Sequence, residues 1–239
     1  MRICHQLAFA LAALALAATA ACGGSSKRAP KPLQYHLDDV HIARVPVSAK
    51  QDVIRAQNDH AVARMEHNKA TSDLDDIDTT LRIARNEREQ AVLSESSARS
   101  EKDAADRSND MNRINRAARA LRAAEFERRA ADERVEYLRL RKRALETYVR
   151  YTGEDVYAKE ARFEYAKARV ARDHGIQPQG FDYGDYREQA EERAQRAREA
   201  KAAADQAERV ALEQRETWQN LSREAQRMRR GSGREAGSR

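Results

Sequence analysis

The chain has 239 residues and a formal net charge of +6; 35% of its residues are charged and only 5% aromatic, with four prolines and nine glycines. That composition excludes a compact domain built on one large core and fits long charged helices. Disorder shares the high charge and the scarcity of aromatics, but sustained heptad order and abundant Ala, Leu, Arg and Glu favour helix, since these residues lose little freedom on entering one.

Residues 1–21 read as an export signal. Arg2 and His5 lead into an apolar run, Leu7 to Ala21, which at roughly 15 residues is short for a membrane span. Thr19-Ala20-Ala21-Cys22 resembles the lipobox of bacterial lipoproteins, in which the cysteine carries a thioether-linked diacylglycerol. It departs from the usual pattern in having Thr19 where leucine is common. Ala18-Thr19-Ala20 would also suit ordinary cleavage, leaving a soluble protein with one thiol. Two features favour lipidation at Cys22. It is the only cysteine left after cleavage, so no internal disulfide needs it. Residues 22–32, with Gly23-Gly24-Ser25-Ser26-Lys27-Arg28, read as a flexible tether. By the same resemblance, Gly23 rather than Asp after the cysteine implies the outer membrane. Diacylation plus amino-terminal acylation would anchor the chain stably where a single acyl chain is marginal. The first expected partner is therefore a membrane, reached through the lipid.

Residues 33–47 change pattern. Leu33, Tyr35 and Leu37 alternate with Gln34, His36 and Asp38, and Val40, Ile42, Val45 and Val47 follow. Period-two alternation predicts one extended segment. With no partner strand in the chain, it should lie along the base of the helices or pair between subunits. Ser48 and Gln51 fit a capping box opening the first helix.

Residues 48–173 predict an antiparallel helical hairpin. Ala56, Ala63, Ala70, Ile77, Ala84, Ala91, Ala98 and Ala105 form one seven-residue column, with Val53, His60, His67, Leu74 and Leu81 beside it. A second column runs Ile114, Leu121, Arg128, Val135, Lys142, Val149, Val156, Phe163, Val170, with Ala117, Ala124, Ala131, Leu138 and Leu145 as companions. Spacing of this kind marks a coiled-coil seam. The two columns differ in phase, and the jump falls in the polar stretch 106–112, which predicts the tip. A turn centred near residue 109 would put His67 near Tyr151 and Leu81 near Tyr137. Toward the tip the companion column becomes Arg88, Glu95 and Lys102, so alanines and ion pairs should hold that end. Gly153 allows a kink in a helix that the column passes through without slipping.

His174, Gly175 and Pro178 stop the second helix, and residues 174–184 read as a loop. Asp185 and Glu188 predict the start of a third long helix, 185–230. Its columns are Ala190, Ala197, Ala204, Ala211, Trp218, Ala225 and Tyr186, Arg193, Ala200, Ala207, Gln214, Leu221, Met228. Residues 231–239 read as a disordered tail. The fold expected is all-α: an elongated antiparallel coiled-coil hairpin plus a third long helix, an extended three-helix bundle.

No chemistry stands out. His60 and His67 are two turns apart, roughly 10 Å, too far to share an ion unaided. There is no His-x-x-x-His pair, Cys-x-x-Cys, glycine-rich phosphate loop or Gly-x-Ser-x-Gly elbow. The expectation is no catalytic residue, no metal, no cofactor and no small-molecule substrate. An exported chain without aromatic-and-basic stacking motifs is not expected to bind nucleic acid. Arginine-rich positive charge suits anionic lipid headgroups or an acidic partner; it is also what a GC-rich genome produces, and the charges alternate in sign along the helices. The functional expectation is an outer-membrane-anchored periplasmic lipoprotein acting as spacer, tether or accessory subunit of an envelope complex. The alternative is a cationic chaperone-like or adaptor-like hairpin that binds clients or partner proteins. The murein lipoprotein is a loose analogue, but its terminal lysine is replaced here by Arg239. Protein partners in the envelope are expected under either reading, and a homo-oligomer stays open.

Overall fold

The computed structural model describes residues 31–178 and 180–234, the last four by backbone alone. The chain divides into two units, Met1–Lys31 and Pro32–Arg239, and every described helix belongs to the second. Cys22, the export signal, most of the tether and residues 235–239 lie outside the described residues. The second unit consists of α1 (Gln51–Asp106), α2 (Met111–Asp173) and α3 (Tyr183–Arg234). At ~1.5 Å per residue they are about 84, 95 and 78 Å long. The expected all-α fold is present: an antiparallel hairpin with a third long helix beside it.

The hairpin columns face each other as heptad spacing requires. Ala56, Ala63, Ala70, Ile77, Ala84 and Ala105 are buried on α1, as are Ala117, Ala124, Val135, Leu138, Leu145 and Val170 on α2. Ion pairs keep the register: Asp52 with Arg169, Asp59 with Arg162, Asp78 with Lys142 and Glu95 with Arg128. His67 meets Thr152, at 3.0 Å, one residue beyond the expected Tyr151. Ile77, Leu81, Val135, Leu138 and Leu145 form the mid-hairpin core, with Tyr137 against it. Toward the tip a charged network replaces it. Asp132 accepts from both Arg88 and Arg128, each at 2.6 Å, and Glu95 accepts from Arg128 at 2.5 Å and from Arg99 at 2.7 Å. Arg128 and Glu95 occupy column positions, so this polar pairing sets register where apolar side chains are few.

The turn between α1 and α2 is built locally. Asn109 adopts a left-handed conformation (φ 52°), which asparagine tolerates better than most residues. Asp110 then caps α2, its side chain accepting from the N–H groups of Asn112 and Arg113. The other end of α2 closes in a Schellman motif. Gly175 (φ 67°) donates to the Arg172 carbonyl, Ile176 donates to that of Ala171, and Ile176 packs on the basal core. Gly153 produces no break: α2 is continuous through it, with Thr152, Gly153 and Glu154 buried.

Four local details differ from the sequence reading. No capping box opens α1; residues 47–50 form a 3-10 turn, and Lys50 at the cap makes no side-chain cap bond. Residues 39–42 form another 3-10 turn, capped by Asp38. Alternation therefore holds only over 33–38, and Val40 and Val47 are exposed. Third, α3 begins at Tyr183, before Asp185, with the Gly184 N–H bonded to the Asp182 carboxylate at 2.7 Å. Finally, α3 extends to Arg234, through the glycines assigned to the tail.

The larger finding is how the three helices are arranged. α2 packs along both α1 and α3, whereas no Cα of α1 comes within 8 Å of a Cα of α3 among the described residues. The helices lie side by side with α2 in the middle. α2 can serve two neighbours because it carries a second seven-residue column. Ala123, Ala130, Ala144 and Ala158 are buried in it, alternating further along with half-buried Tyr137, Tyr151 and Tyr165. Trp218 of α3 stacks on Tyr137 (5.5 Å between centroids, 9° between planes), and Arg134 of α2 lies 5.8 Å from its ring. Trp218 thus packs within the chain, on α2 and not on the alanines of α1. Its fluorescence should be blue-shifted relative to unfolded protein, and Tyr137→Ala should raise its quenching by acrylamide. Unchanged quenching in that variant would contradict the stack.

Candidate interaction surface at the helix base

The basal end of α2 is where sequence and structure diverge most. Glu164 and Lys167 are buried there, with side chains 6% and 5% exposed, and pair at 2.8 Å. Gln189 and Arg193 of α3 are also buried, as is Tyr186. Helices carry such residues on solvated faces unless they have partners. Here the partner is the backbone of residues 32–37, within the segment 32–39.

That segment crosses the layer as a strap without pairing with any strand. The Gln189 side-chain oxygen accepts from the N–H groups of Gln34 and Tyr35, at 2.8 and 3.0 Å, and its amide returns a bond to the Tyr35 carbonyl at 3.0 Å. Glu164 accepts the Leu37 N–H at 2.8 Å, while Lys167 donates to the Leu37 carbonyl at 2.6 Å and to Asp39 at 3.0 Å. The Tyr186 hydroxyl donates to the His36 carbonyl, and Arg193 to that of Pro32. A lone extended segment normally leaves backbone groups unpaired, at a cost comparable to a lost hydrogen bond for each one buried. Side chains of α2 and α3 supply those partners.

Apolar packing reinforces the strap. Leu33 and Leu37 are buried, and Leu37, Ile42 and Val45 share a core with Val53, Ala56, Ala168, Ala171 and Tyr186. Leu37, Ile42 and Val45 thereby share one basal core with side chains of all three helices, although no Cα of α1 lies within 8 Å of one of α3 among the described residues. Tyr186 lies against Tyr35 and Phe181. Burial, then the Glu164 carboxylate, pushes the Tyr186 hydroxyl up to about 12, so it stays a hydrogen-bond donor across the ordinary pH range. One clue existed in the sequence: Arg193 and Gln214 are the polar members of a column otherwise small, aromatic or aliphatic.

The opposite face of the layer is open. Residues two apart point to nearly opposite sides of a helix, so Arg162 faces away from Glu164 and the strap. Arg162 and Tyr165 separate two grooves, about 430 Å³ between α2 and α3 and about 580 Å³ between α1 and α2. Burial pushes Asp155, in the first groove, above the usual carboxylate range, with Lys159 opposing the shift.

The site residue expected from sequence, Cys22, is not among those described. His60 and His67 are not brought together as a metal pair: His67 is taken up by Thr152, and no group of three potential ligands occurs among the described residues. None of the described helices is long and apolar enough to cross a membrane. Comparisons with protein-family models, curated proteins and solved structures find no match to this chain.

Proposed function

We propose that this chain is a non-catalytic lipoprotein of the bacterial outer membrane, lipidated at Cys22, whose helical unit serves as a periplasmic spacer or tether for an envelope complex. The observation that supports it most is the strap. A tether must pass tension from its anchor to its body, and the first residues of the unit, Pro32 to Asp39, are held by side chains of both α2 and α3. Pro32 follows Cys22 by ten residues, a reach of at most ~36 Å when extended. Pull on the cysteine would load seven hydrogen bonds to the strap backbone and the Leu33 and Leu37 packing, and would not peel α1 from its end.

The alternative, a hairpin that grips partners with its tip, draws support from the distal end of the layer. Arg229, near the end of α3, pairs with Glu127 at 2.6 Å, and α3 stops at Arg234, so the part of the hairpin nearest the turn offers a stretch less covered by α3.

Metabolic labelling with an alkyne palmitate tests the reading. Wild type should be tagged and sediment with outer membranes, while Cys22→Ala should be neither. Absence of label from both would overturn the lipoprotein reading and favour a soluble partner-binding hairpin.

A further inference from the structure

The open-face groove between α2 and α3 combines features that no other part of the described unit brings together. Its floor is alanine: Ala158 from α2, and Ala190, Ala194 and Ala197 from α3. Small side chains here leave a channel where longer ones would fill it. Tyr151 and Tyr165 of α2 stand two heptads apart and close its ends. Along α3 the lining runs from Arg187 to Lys201, about 21 Å at ~1.5 Å per residue. That exceeds the ~15 Å taken by one leaflet's acyl chains in a bilayer core ~30 Å thick.

The rim carries the opposite chemistry. Lys159, Arg162, Arg187, Arg198 and Lys201 line the groove, against only Asp155 and Glu191. Some of these cations have carboxylate neighbours: Arg162 with Asp59 at 3.8 Å, Arg187 with Glu191 at 3.9 Å and Lys201 with Asp205 at 2.7 Å. All three pairs have side chains about half exposed or more, so they are weakly held and exchange readily for a stronger anion. Asp155 is easier to neutralise than an ordinary carboxyl group because burial disfavours its charge. An apolar channel of about 430 Å³ edged by excess positive charge lies in the size range of small-molecule sites.

We propose that this groove binds one acyl chain bearing an anionic head group, the chain along the alanine floor between Tyr151 and Tyr165 and the head among the rim cations. The site goes beyond the tethering role and does not depend on lipidation of Cys22. A free fatty acid and a lysophospholipid share this chemistry and differ in the head, carboxylate against phosphate.

The test uses the full chain carrying Cys22→Ala, so that no attached lipid competes. Dansyl-undecanoic acid should bind saturably at one site per chain, with enhanced emission. Hexadecanoate and 1-acyl-glycerol-3-phosphate should displace it, and their relative potency identifies the head group; hexadecyl maltoside, of equal chain length but uncharged, should displace it poorly. Ala194→Leu fills the floor and should weaken probe binding about tenfold or more. Arg187→Glu with Arg198→Glu, exposed positions on the rim, should weaken it similarly while leaving helicity and melting temperature unchanged. No saturable binding, equal displacement by the maltoside, or undiminished affinity in both variants would overturn the proposal.

Discussion

Replacing Lys167 by methionine should lower the melting temperature by roughly 10 °C or more. The ammonium group is buried, lies 4.6 Å from the Phe163 ring centroid, pairs with Glu164 and donates to the Leu37 carbonyl. Methionine keeps much of the volume but leaves Glu164 as a buried charge without its counter-ion. Removing one partner of a buried pair costs ~3–5 kcal/mol, and for a unit of this size each kcal/mol shifts the midpoint by ~2–4 °C. The double variant Glu164→Gln with Lys167→Met should recover part of the loss, because the stranded charge goes with its partner. Thermal unfolding followed by circular dichroism measures both. A shift below ~2 °C for Lys167→Met would mean that the strap does not depend on this pair.

The second large effect concerns the hairpin seam. A Gly-Ser insertion after Asn109 lengthens a loop whose closure cost grows slowly with length, and should cost less than ~1 kcal/mol. The same two residues after Ala84 rotate the distal part of α1 by about 200° relative to its basal part. Ala91, Ala98 and Ala105 would turn from α2 toward water, and the bonds from Arg88 to Asp132 and from Arg128 to Glu95 would break. The melting temperature should fall by roughly 10 °C, corresponding to several kcal/mol. Equal damage from both insertions would contradict a hairpin whose turn lies at residues 107–110.

Both predictions rest on features of different legibility in the chain. The hairpin was readable because seven-residue periodicity and a phase jump are properties of order alone. The alanine columns and the polar turn at 106–112 carry that information without knowledge of any contact. The placement of α2 between its neighbours was not readable in the same way. Its second column alternates Ala and Tyr at positions such as Ala130, Tyr137 and Ala144, and tyrosines suit a solvated surface as well as a seam. Choosing between those requires knowing where α3 returns. The strap was half readable. Alternation at Leu33, Tyr35 and Leu37 indicates an extended segment, and the helix base is one of the two places it could lie, pairing between subunits being the other. What order could not show is that Glu164, Lys167 and Gln189 point inward to hold its backbone, because charged and amide side chains on helices are ordinarily solvated. Local chemistry also misled at the start of α1: Ser48 and Gln51 have the spacing of a capping box, yet residues 47–50 wind as a 3-10 turn in which Gln51 bonds to the Val47 carbonyl at 3.4 Å.

The central structural claim is that the three helices lie side by side, with α2 between two helices whose Cα atoms stay more than 8 Å apart among the described residues. Electron–electron distance measurement tests it on a background of Cys4→Ser and Cys22→Ser, with spin labels at Ser72→Cys and Ala202→Cys. Both positions are exposed, and helical phase puts each on the side of its helix away from the α2 seam. In the side-by-side arrangement the labels are separated by three helix diameters, about 30 Å, since a helix with side chains is ~10 Å across. In a closed bundle α1 and α3 would be in contact and the labels about 20 Å apart. A distribution centred near 30 Å is the expected result. One centred near 20 Å would contradict the arrangement, and with it the open face on which the groove lies.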